Sequence, residues 1–450
     1  MRIHSRRRWL APAAIVTLFL LLLLLGQSRK NEALAAPLEL RAPRTVVWKD
    51  FLGVNAHFLW FTPEVYRLQM QRLQALGLQW TRIDLHWDRI EPSRGQFRWD
   101  VLDPLMQRLV TDRLKAEVYL VGSARYASSA PADASNSDQY PPQGPQLYAN
   151  VLVQLARRYP QVSAWQVWNE PNLPSFWYPR EDPQAYGQLL LASKQALDRA
   201  APGRQLVLGG MAYFSQMPDQ HGRLMVQSLG NLGLFSFPIV IAYHPYSLAP
   251  EGDDPAQRDF ILRAEQGNQA LRAAGVKQIW ADEWGWSSYA GPVEQQPIIG
   301  EQGQADYLLR RLVLMSALDY DRIFLFALSD LDDRATARDR HYGLLDEHAQ
   351  PKPAYYALAR FLAITGPRVQ PIDPPHPATA PPGLISVAWR RDDGHQLWMF
   401  WAAQPGQLTL PGIRLATLHD PLRGTQRQLR AKQDPLQVPV QTSLQILEWP

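Results

Sequence analysis

Two short segments of this sequence set a glutamate among tryptophans: Trp165-Gln-Val-Trp-Asn-Glu-Pro-Asn172 carries Glu170, and Ile279-Trp-Ala-Asp-Glu-Trp-Gly-Trp286 carries Glu283. A pair of carboxyl groups cleaves a glycosidic bond when one is protonated at the leaving oxygen and the other is ionised at the anomeric carbon. Two chemically identical groups must then sit in unlike surroundings, and the flanks supply a contrast. Glu170 stands between Trp168 and Pro171, apolar neighbours that disfavour its charge and raise its pKa. Glu283 follows Asp282 and needs a cation or hydrogen-bond donors to stay ionised; Arg82, His244 and Tyr246 are the candidates.

Other residue types are weighed the same way. His86 joins Arg82, His244 and Tyr246 as a substrate-binding candidate, since all four fall at the ends of apolar runs. Trp286 and Trp284 offer flat faces for stacking on a sugar ring, and Trp177 with Tyr178 an outer subsite. The cluster Asp330, Asp332 and Asp333 lacks the glycine and terminal glutamate of a calcium loop, while Arg334, Arg338 and Arg340 offer ion pairs. No His/Glu spacing reads as a zinc motif, and no glycine-rich loop follows a strand as nucleotide binding requires. Gly209-Gly210 reads as a strand end needing close approach or unusual backbone angles. The expectation is a site without metal or cofactor.

The elements that must position these groups are legible as alternation. Between Val46 and Gly366, short apolar runs alternate with longer segments of helical period, the pattern of βα units. The runs are Phe51–Ala56, Gln79–Leu85, Ala116–Val121, Ala164–Trp168, Gln205–Gly209, Pro238–Tyr243, Gln278–Ala281 and Arg322–Leu328. Eight such units match a (β/α)8 TIM barrel better than the alternative, a doubly wound open sheet. In a barrel, reactive groups collect at the C-terminal strand ends, so the fourth and seventh strands bring Glu170 and Glu283 to one mouth. Double displacement requires a separation of roughly 5 to 5.5 Å there. Thr62-Pro63 and Asp182-Pro183 signal helix starts. Val65, Leu68, Leu73 and Leu76 predict the buried face of the first helix, ended by Gly77.

Composition and the two ends bound the rest. With 450 residues and 46% hydrophobic content the chain buries one large core and a smaller one. A net charge of +4 with scattered basic residues leaves no footprint for nucleic acid. After Gly366 the proline-rich stretch 367–382 reads as a linker, and residues 367–450 as a small C-terminal all-β, sandwich-like domain that braces the barrel or binds carbohydrate. At the other end, Arg2, Arg6, Arg7 and Arg8 precede an apolar run from Leu10 to Gly26. Residues 1–36 are expected to form an apolar helix that anchors the chain in the inner membrane, a signal segment being the alternative, with all that follows outside the cytoplasm. Cysteine is absent, which excludes disulfides.

Trp-Asn-Glu-Pro at a strand end, with a second glutamate 113 residues later (283 − 170) in a tryptophan-flanked strand, resembles the clan of (β/α)8 glycosidases that retain anomeric configuration. The resemblance implies that Glu170 is the acid/base, that Asn169 binds the substrate 2-hydroxyl and that Glu283 is the nucleophile. Within the clan the chain looks like the PslG-type glycosidases of bacterial biofilm exopolysaccharide operons, related to glycoside hydrolase family 39. The matching segments are Val47-Trp-Lys-Asp-Phe-Leu-Gly-Val-Asn55, Leu85-His-Trp-Asp88, Tyr119-Leu-Val-Gly-Ser-Ala-Arg125 and Ala317-Leu-Asp-Tyr-Asp-Arg-Ile-Phe-Leu-Phe326. This closer likeness implies a periplasmic hydrolase cutting within a mannose-rich polysaccharide, with exopolysaccharide assembly proteins as partners. The competing expectation is a noncatalytic polysaccharide-binding component of an assembly machine.

Overall fold

The computed structural model describes residues 36–212, 223–292, 297–431 and 435–450. The expected N-terminal apolar helix lies outside them. Among the described residues no helix is long and apolar enough to cross a membrane.

Two short strands, β1 (Leu38–Leu40) and β2 (Val46–Val47), precede the parallel sheet. That sheet comprises β3 (Leu52–Asn55), β4 (Trp80–His86), β5 (Lys115–Val121), β6 (Ala164–Val167), β7 (Gln205–Leu208), β8 (Met211–Ala212), β9 (Ile241–His244), β10 (Ile279–Trp284) and β11 (Arg322–Leu325). Its order is β7-β6-β5-β4-β3-β11-β10-β9-β8. The two ends of this series meet: Val207 of β7 bridges Val240 in parallel, with backbone bonds of 2.9 Å from Leu208 to Val240 and from Val240 to Leu206. The sheet therefore curls into a TIM-like barrel, with helices such as Pro63–Ala75, Pro145–Arg158 and Gly300–Ala317 between its strands.

Alternation along each strand sorts the interior into layers, because successive side chains point to opposite faces. Trp80, Ala164, Val207, Val240, Ala242, Trp280 and Phe324 form one apolar cluster, drawn from strands all round the ring. Gly53 belongs to this level, where an added Cβ would meet the Phe324 ring at 2.4 Å. Two residues further along, the same faces carry Asn55, Arg82, Gln166, His244 and Asp282, all buried. A polar layer thus rests on an apolar floor, open only towards the C-terminal ends.

The helices depart from expectation in detail. In Pro63–Ala75 the buried side chains are Tyr66, Gln69, Met70 and Leu73; of the predicted stripe, Leu73 and the following Leu76 are buried and Val65 and Leu68 are half-buried. The spacing i, i+3, i+4, i+7 is kept, and the larger Tyr66 and Met70 fill the contact. Thr62 makes no side-chain cap, whereas Asp182 accepts a bond of 2.9 Å from the Ala185 amide.

The proline-rich stretch is not all linker: Arg368–Pro371 forms β12, antiparallel to β2 and to β13 (Ile385–Arg391). The proline is tolerated at the strand's end, where no ladder donor is needed. The strands that follow are β14 (Gln396–Trp401), β15 (Gly406–Leu410), β16 (Leu415–Asp420), β17 (Thr425–Arg430), β18 (Leu436–Val440) and β19 (Gln445–Trp449). β14 is buried on both faces. Leu397, Met399 and Trp401 join the barrel's outer core, while Trp398 and Phe400 pack in a second core with Leu408 of β15 and Val438 of β18. Trp401 also donates to Glu251 at 2.7 Å, and Arg360 to the carbonyls of Pro421 and Leu422.

Trp280→Ala empties part of the apolar floor that closes the barrel. It is expected to lower the unfolding free energy by about 3–5 kcal/mol in denaturant titrations; a loss under about 1 kcal/mol would contradict the layering.

Candidate active site

Glu170 reaches the mouth through a strained turn after β6. Trp168 and Glu170 have φ of +70° and +43°, left-handed values that cost non-glycine residues of order 1–3 kcal/mol each. Several bonds hold the turn in place. The Trp168 amide donates to Leu120 and to the Tyr148 hydroxyl, Gln166 donates to the Trp168 carbonyl, and the Glu170 amide donates to Gly210. Asn172 clamps Ala212 with a pair of bonds, 2.9 and 3.0 Å, one in each direction.

Glu283 reaches the same mouth by a different device. β10 runs to Trp284, so Glu283 lies within the strand rather than after it, as the sequence suggested. Consecutive side chains of a regular strand face opposite ways. Here the register against β11 shifts between Ala281 and Trp284, and both Asp282 and Glu283 face inward.

Arg82 ties these elements together. Its guanidinium, buried among β3, β4, β6 and β10, donates from Nε to Gln166 at 2.8 Å and from Nη2 to Asn169 at 2.7 Å. Nη1 serves both Asn55 at 2.8 Å and Glu283 at 2.6 Å. Asp282 lies 3.6 Å from Nε, and the cation stacks 4.0 Å from the Tyr119 ring centroid. Burial opposes its charge, but Glu283 and Asp282 outweigh burial and raise its pKa further. Only a planar fork satisfies this many acceptors at fixed angles. Tyr246 donates to the second oxygen of Glu283 at 3.3 Å.

His244, completely buried, stands between the acids. Nδ1 lies 2.7 Å from Glu170 and 3.5 Å from Glu283, and Nε2 lies 3.3 Å from Asp282. Burial lowers its pKa, but Glu283 and Asp282 prevail and push it up to about 10. Burial raises the pKa of Glu170, opposed by His244 and assisted by the charge of Glu283. Below these groups, burial and Asp282 raise the pKa of Glu117 on β5 well above the carboxylate range, and neither of its oxygens has a hydrogen-bond partner among the described residues. Arg82 and His244 stand beside Asp282 and Glu283, and Arg322 is a further cation acting on Glu117. Burial favours the neutral form of Glu170 and of Glu117, since an uncompensated charge in this interior costs several kcal/mol. Glu170, whose pKa burial raises, thus stands beside Glu283 on its guanidinium.

Asp84 holds a separate group. Its carboxylate meets His57 at 2.9 Å and His86 at 3.5 Å; burial opposes its ionisation, but His57 and His86 hold it well below the usual range. His86 therefore lies away from the two glutamates, on a cavity of about 250 Å³ that Trp60, Arg89 and Arg334 also line.

The tryptophans correct expectation. Trp286 is only 3% exposed, donates to the Ser247 carbonyl and packs on Tyr307, so its ring presents no face to a sugar. Trp284 and Trp177 are buried too, whereas Tyr178 is exposed and lies against Tyr140. A flanking tryptophan in a barrel strand serves packing as readily as stacking. Asp332 pairs with Arg334, but Asp330 pairs with the buried Lys352 at 2.8 Å. Gly209 and Gly210 serve close approach: a Cβ on Gly210 would lie 2.1 Å from His244 Nε2.

Asp282, Glu117 and Gln166 were not singled out from sequence as working groups. The available signal was a polar residue at period two within an apolar run, as in Ala116-Glu117-Val118. Donor atoms of Glu170, His244 and Glu283 lie within 4.8 Å of one another, near enough to surround a cation.

No protein-family model and no curated protein sequence matches the chain. Solved structures share its fold. A family 39 glycoside hydrolase from Bacteroides cellulosilyticus WH2 is 17% identical with a TM-score of 0.67, over 90% of this chain and 82% of that one. A monomeric β-xylosidase from Caulobacter crescentus CB15 is 15% identical with a TM-score of 0.62, over 92% and 99%. A family 30 endoxylanase from Clostridium papyrosolvens C71 is 11% identical with a TM-score of 0.60, over 92% and 99%. At such identities the likeness establishes the fold.

Arg82→Met leaves Asp282 and Glu283 with His244 as their one remaining contact cation and is expected to cost about 3–5 kcal/mol of stability. Adding Glu283→Gln should recover part of that loss. A double variant no more stable than Arg82→Met alone would contradict the charge balance.

Proposed function

We propose that the protein is a retaining glycoside hydrolase with Glu170 as acid/base and Glu283 as nucleophile. The observation that carries this reading is the approach of the two carboxylates, whose nearest oxygens lie within 4.8 Å. Retaining pairs stand roughly 5 to 5.5 Å apart, whereas inverting pairs leave roughly 6.5 to 9.5 Å for a water molecule. Glu170 gives its proton to the leaving oxygen as Glu283 attacks the anomeric carbon, forming a glycosyl ester and releasing the first product. Glu170, now a carboxylate, takes a proton from water, whose oxygen attacks the same carbon and frees Glu283. Two inversions give net retention.

The Arg82 and Tyr246 bonds orient Glu283 for attack. Asn169, fixed by Arg82, keeps its amide group free to donate to the sugar 2-hydroxyl. The cavity that His86 and Asp84 line is a further sugar subsite in this reading, apart from the two glutamates. The fold neighbours named as a family 39 glycosidase, a xylosidase and an endoxylanase support the reaction class. The substrate proposed from the segment resemblance is a mannose-rich exopolysaccharide, cut within the chain in the periplasm by an enzyme tethered through its N-terminal segment. Exopolysaccharide assembly proteins are its proposed partners.

On purified mannose-rich exopolysaccharide, Glu170→Gln is expected to lower kcat by about 10²–10⁴-fold, and Glu283→Ala by at least as much. Near-normal turnover in either folded variant would overturn the assignment. Proton NMR of the first product should show the substrate's own anomeric configuration; the opposite anomer would contradict double displacement.

A further inference from the structure

We propose that Asp282 is a positioning residue for the Glu170–Glu283 pair, acting through His244 and never on the substrate itself. It fixes the imidazole so that Nδ1 always presents its proton to the two glutamates. The proposal rests on Glu170 as the proton carrier, and it concerns a residue that the two-carboxylate chemistry does not itself require.

Its basis is geometric. Asp282 is completely buried, and His244 lies between it and the mouth, touching Asp282 with one nitrogen and both glutamates with the other. Nε2 and Asp282 Oδ1 are 3.3 Å apart as an ion pair, without the alignment of a hydrogen bond. A neutral imidazole carries one N–H and one lone pair. Asp282 beside Nε2 and Glu283 beside Nδ1 favour a proton on each nitrogen, and the Nδ1 N–H then points at the two glutamates.

Room for the contact is built into the chain. A Cβ at position 210 would lie 2.1 Å from His244 Nε2 and 2.7 Å from Asp282 Oδ1, so the imidazole and carboxylate meet over a glycine. Asp282 faces inward beside Glu283 only because the register of β10 shifts at this point.

The charged and titratable groups facing His244 are Glu170 after β6, Asp282 and Glu283 on β10, Glu117 on β5 and Arg82 on β4, with the Tyr246 ring edge-on. Asp282 alone among them meets Nε2. When Glu170 gives up its proton, the imidazolium already stands beside the new carboxylate. Asp282 stabilises that cation from below, so His244 retains its own proton while Glu170 loses and regains one.

The test follows the His244 resonance in full-length protein labelled at histidine ¹³Cε1 and assigned by its loss in His244→Gln. Wild-type His244 is expected to stay charged through neutral pH and to titrate near 10. Asp282→Asn should lower that midpoint by at least about one unit, through loss of the facing charge. Gly210→Ala, which pushes the ring from Asp282 without altering charge, should lower it too and serves if Asp282→Asn does not fold. A neutral His244 at pH 7 in the wild type overturns the proposal, as does an unchanged midpoint in the folded variants.

On the exopolysaccharide, Asp282→Asn should reduce kcat more than it changes KM and move the alkaline limb of the pH profile to lower pH. A variant that is merely less stable, with titration and pH profile unmoved, also counts against it. Failure of the wild type to cleave the polymer would undo the hydrolase reading, while the histidine titration would still decide the role of Asp282.

Discussion

A guanidinium buried in the middle of a barrel must find an acceptor for its N–H groups and a counter-charge, or the fold pays several kcal/mol. Arg82 meets that constraint with Asn55, Gln166, Asn169 and Glu283, gathered from three other strand regions. Each of these side chains is thereby fixed in direction, and two of them flank or form the reactive pair. The same cation, with His244, sets how many carboxylates can be ionised in the enclosed volume. Asp282, Glu283, Glu170 and Glu117 share the cations Arg82, His244 and Arg322 there. Glu170 and Glu117 are the pair whose pKa rises.

The division of labour proposed for the two glutamates thus rests on the whole layer. Glu170 is no deeper in apolar surroundings than Glu283; what differs is the partner each meets. Glu283 faces the fixed guanidinium and a phenol, while Glu170 faces an imidazolium that Asp282 and Glu283 already neutralise. The apolar floor of Trp80, Trp280 and Phe324 matters to this balance, since it excludes water from below. The second sheet packs on the outer core through Leu397, Met399 and Trp401.

Much of the frame was legible as sequence. All eight apolar runs lie on the strands of the ring, because parallel strands covered on both faces need continuous apolar residues. Glu170 stood out in its Trp-Asn-Glu-Pro segment, and Arg82, His244 and Tyr246 as polar residues at run ends; all three touch one or both glutamates. What stayed hidden depends on contacts between distant strands. Nothing in Trp280-Ala-Asp-Glu-Trp284 announces a register shift, so Asp282 and Glu283 facing the same way could not be read from alternation. Trp286 has the composition of a sugar platform and the burial of a core residue, a distinction made by Tyr307 and Ser247 elsewhere in the chain. At the start of Pro63–Ala75, Tyr66, Gln69 and Met70 take the contact expected of Val65 and Leu68, while Leu73 and Leu76 are buried as expected: helix periodicity gives a spacing, and the facing surface chooses the phase.

The central claim is that the proton shared among these acids rests on Glu170. Carbon-13 NMR of side-chain carboxyls in ¹³Cδ-glutamate-labelled protein, with Glu170 assigned by its loss in Glu170→Gln, measures this directly. Glu170 should remain protonated above the ordinary glutamate value of 4.5 and titrate at higher pH. A Glu170 signal already ionised at or below that value would contradict the charge balance from which its role as acid is argued.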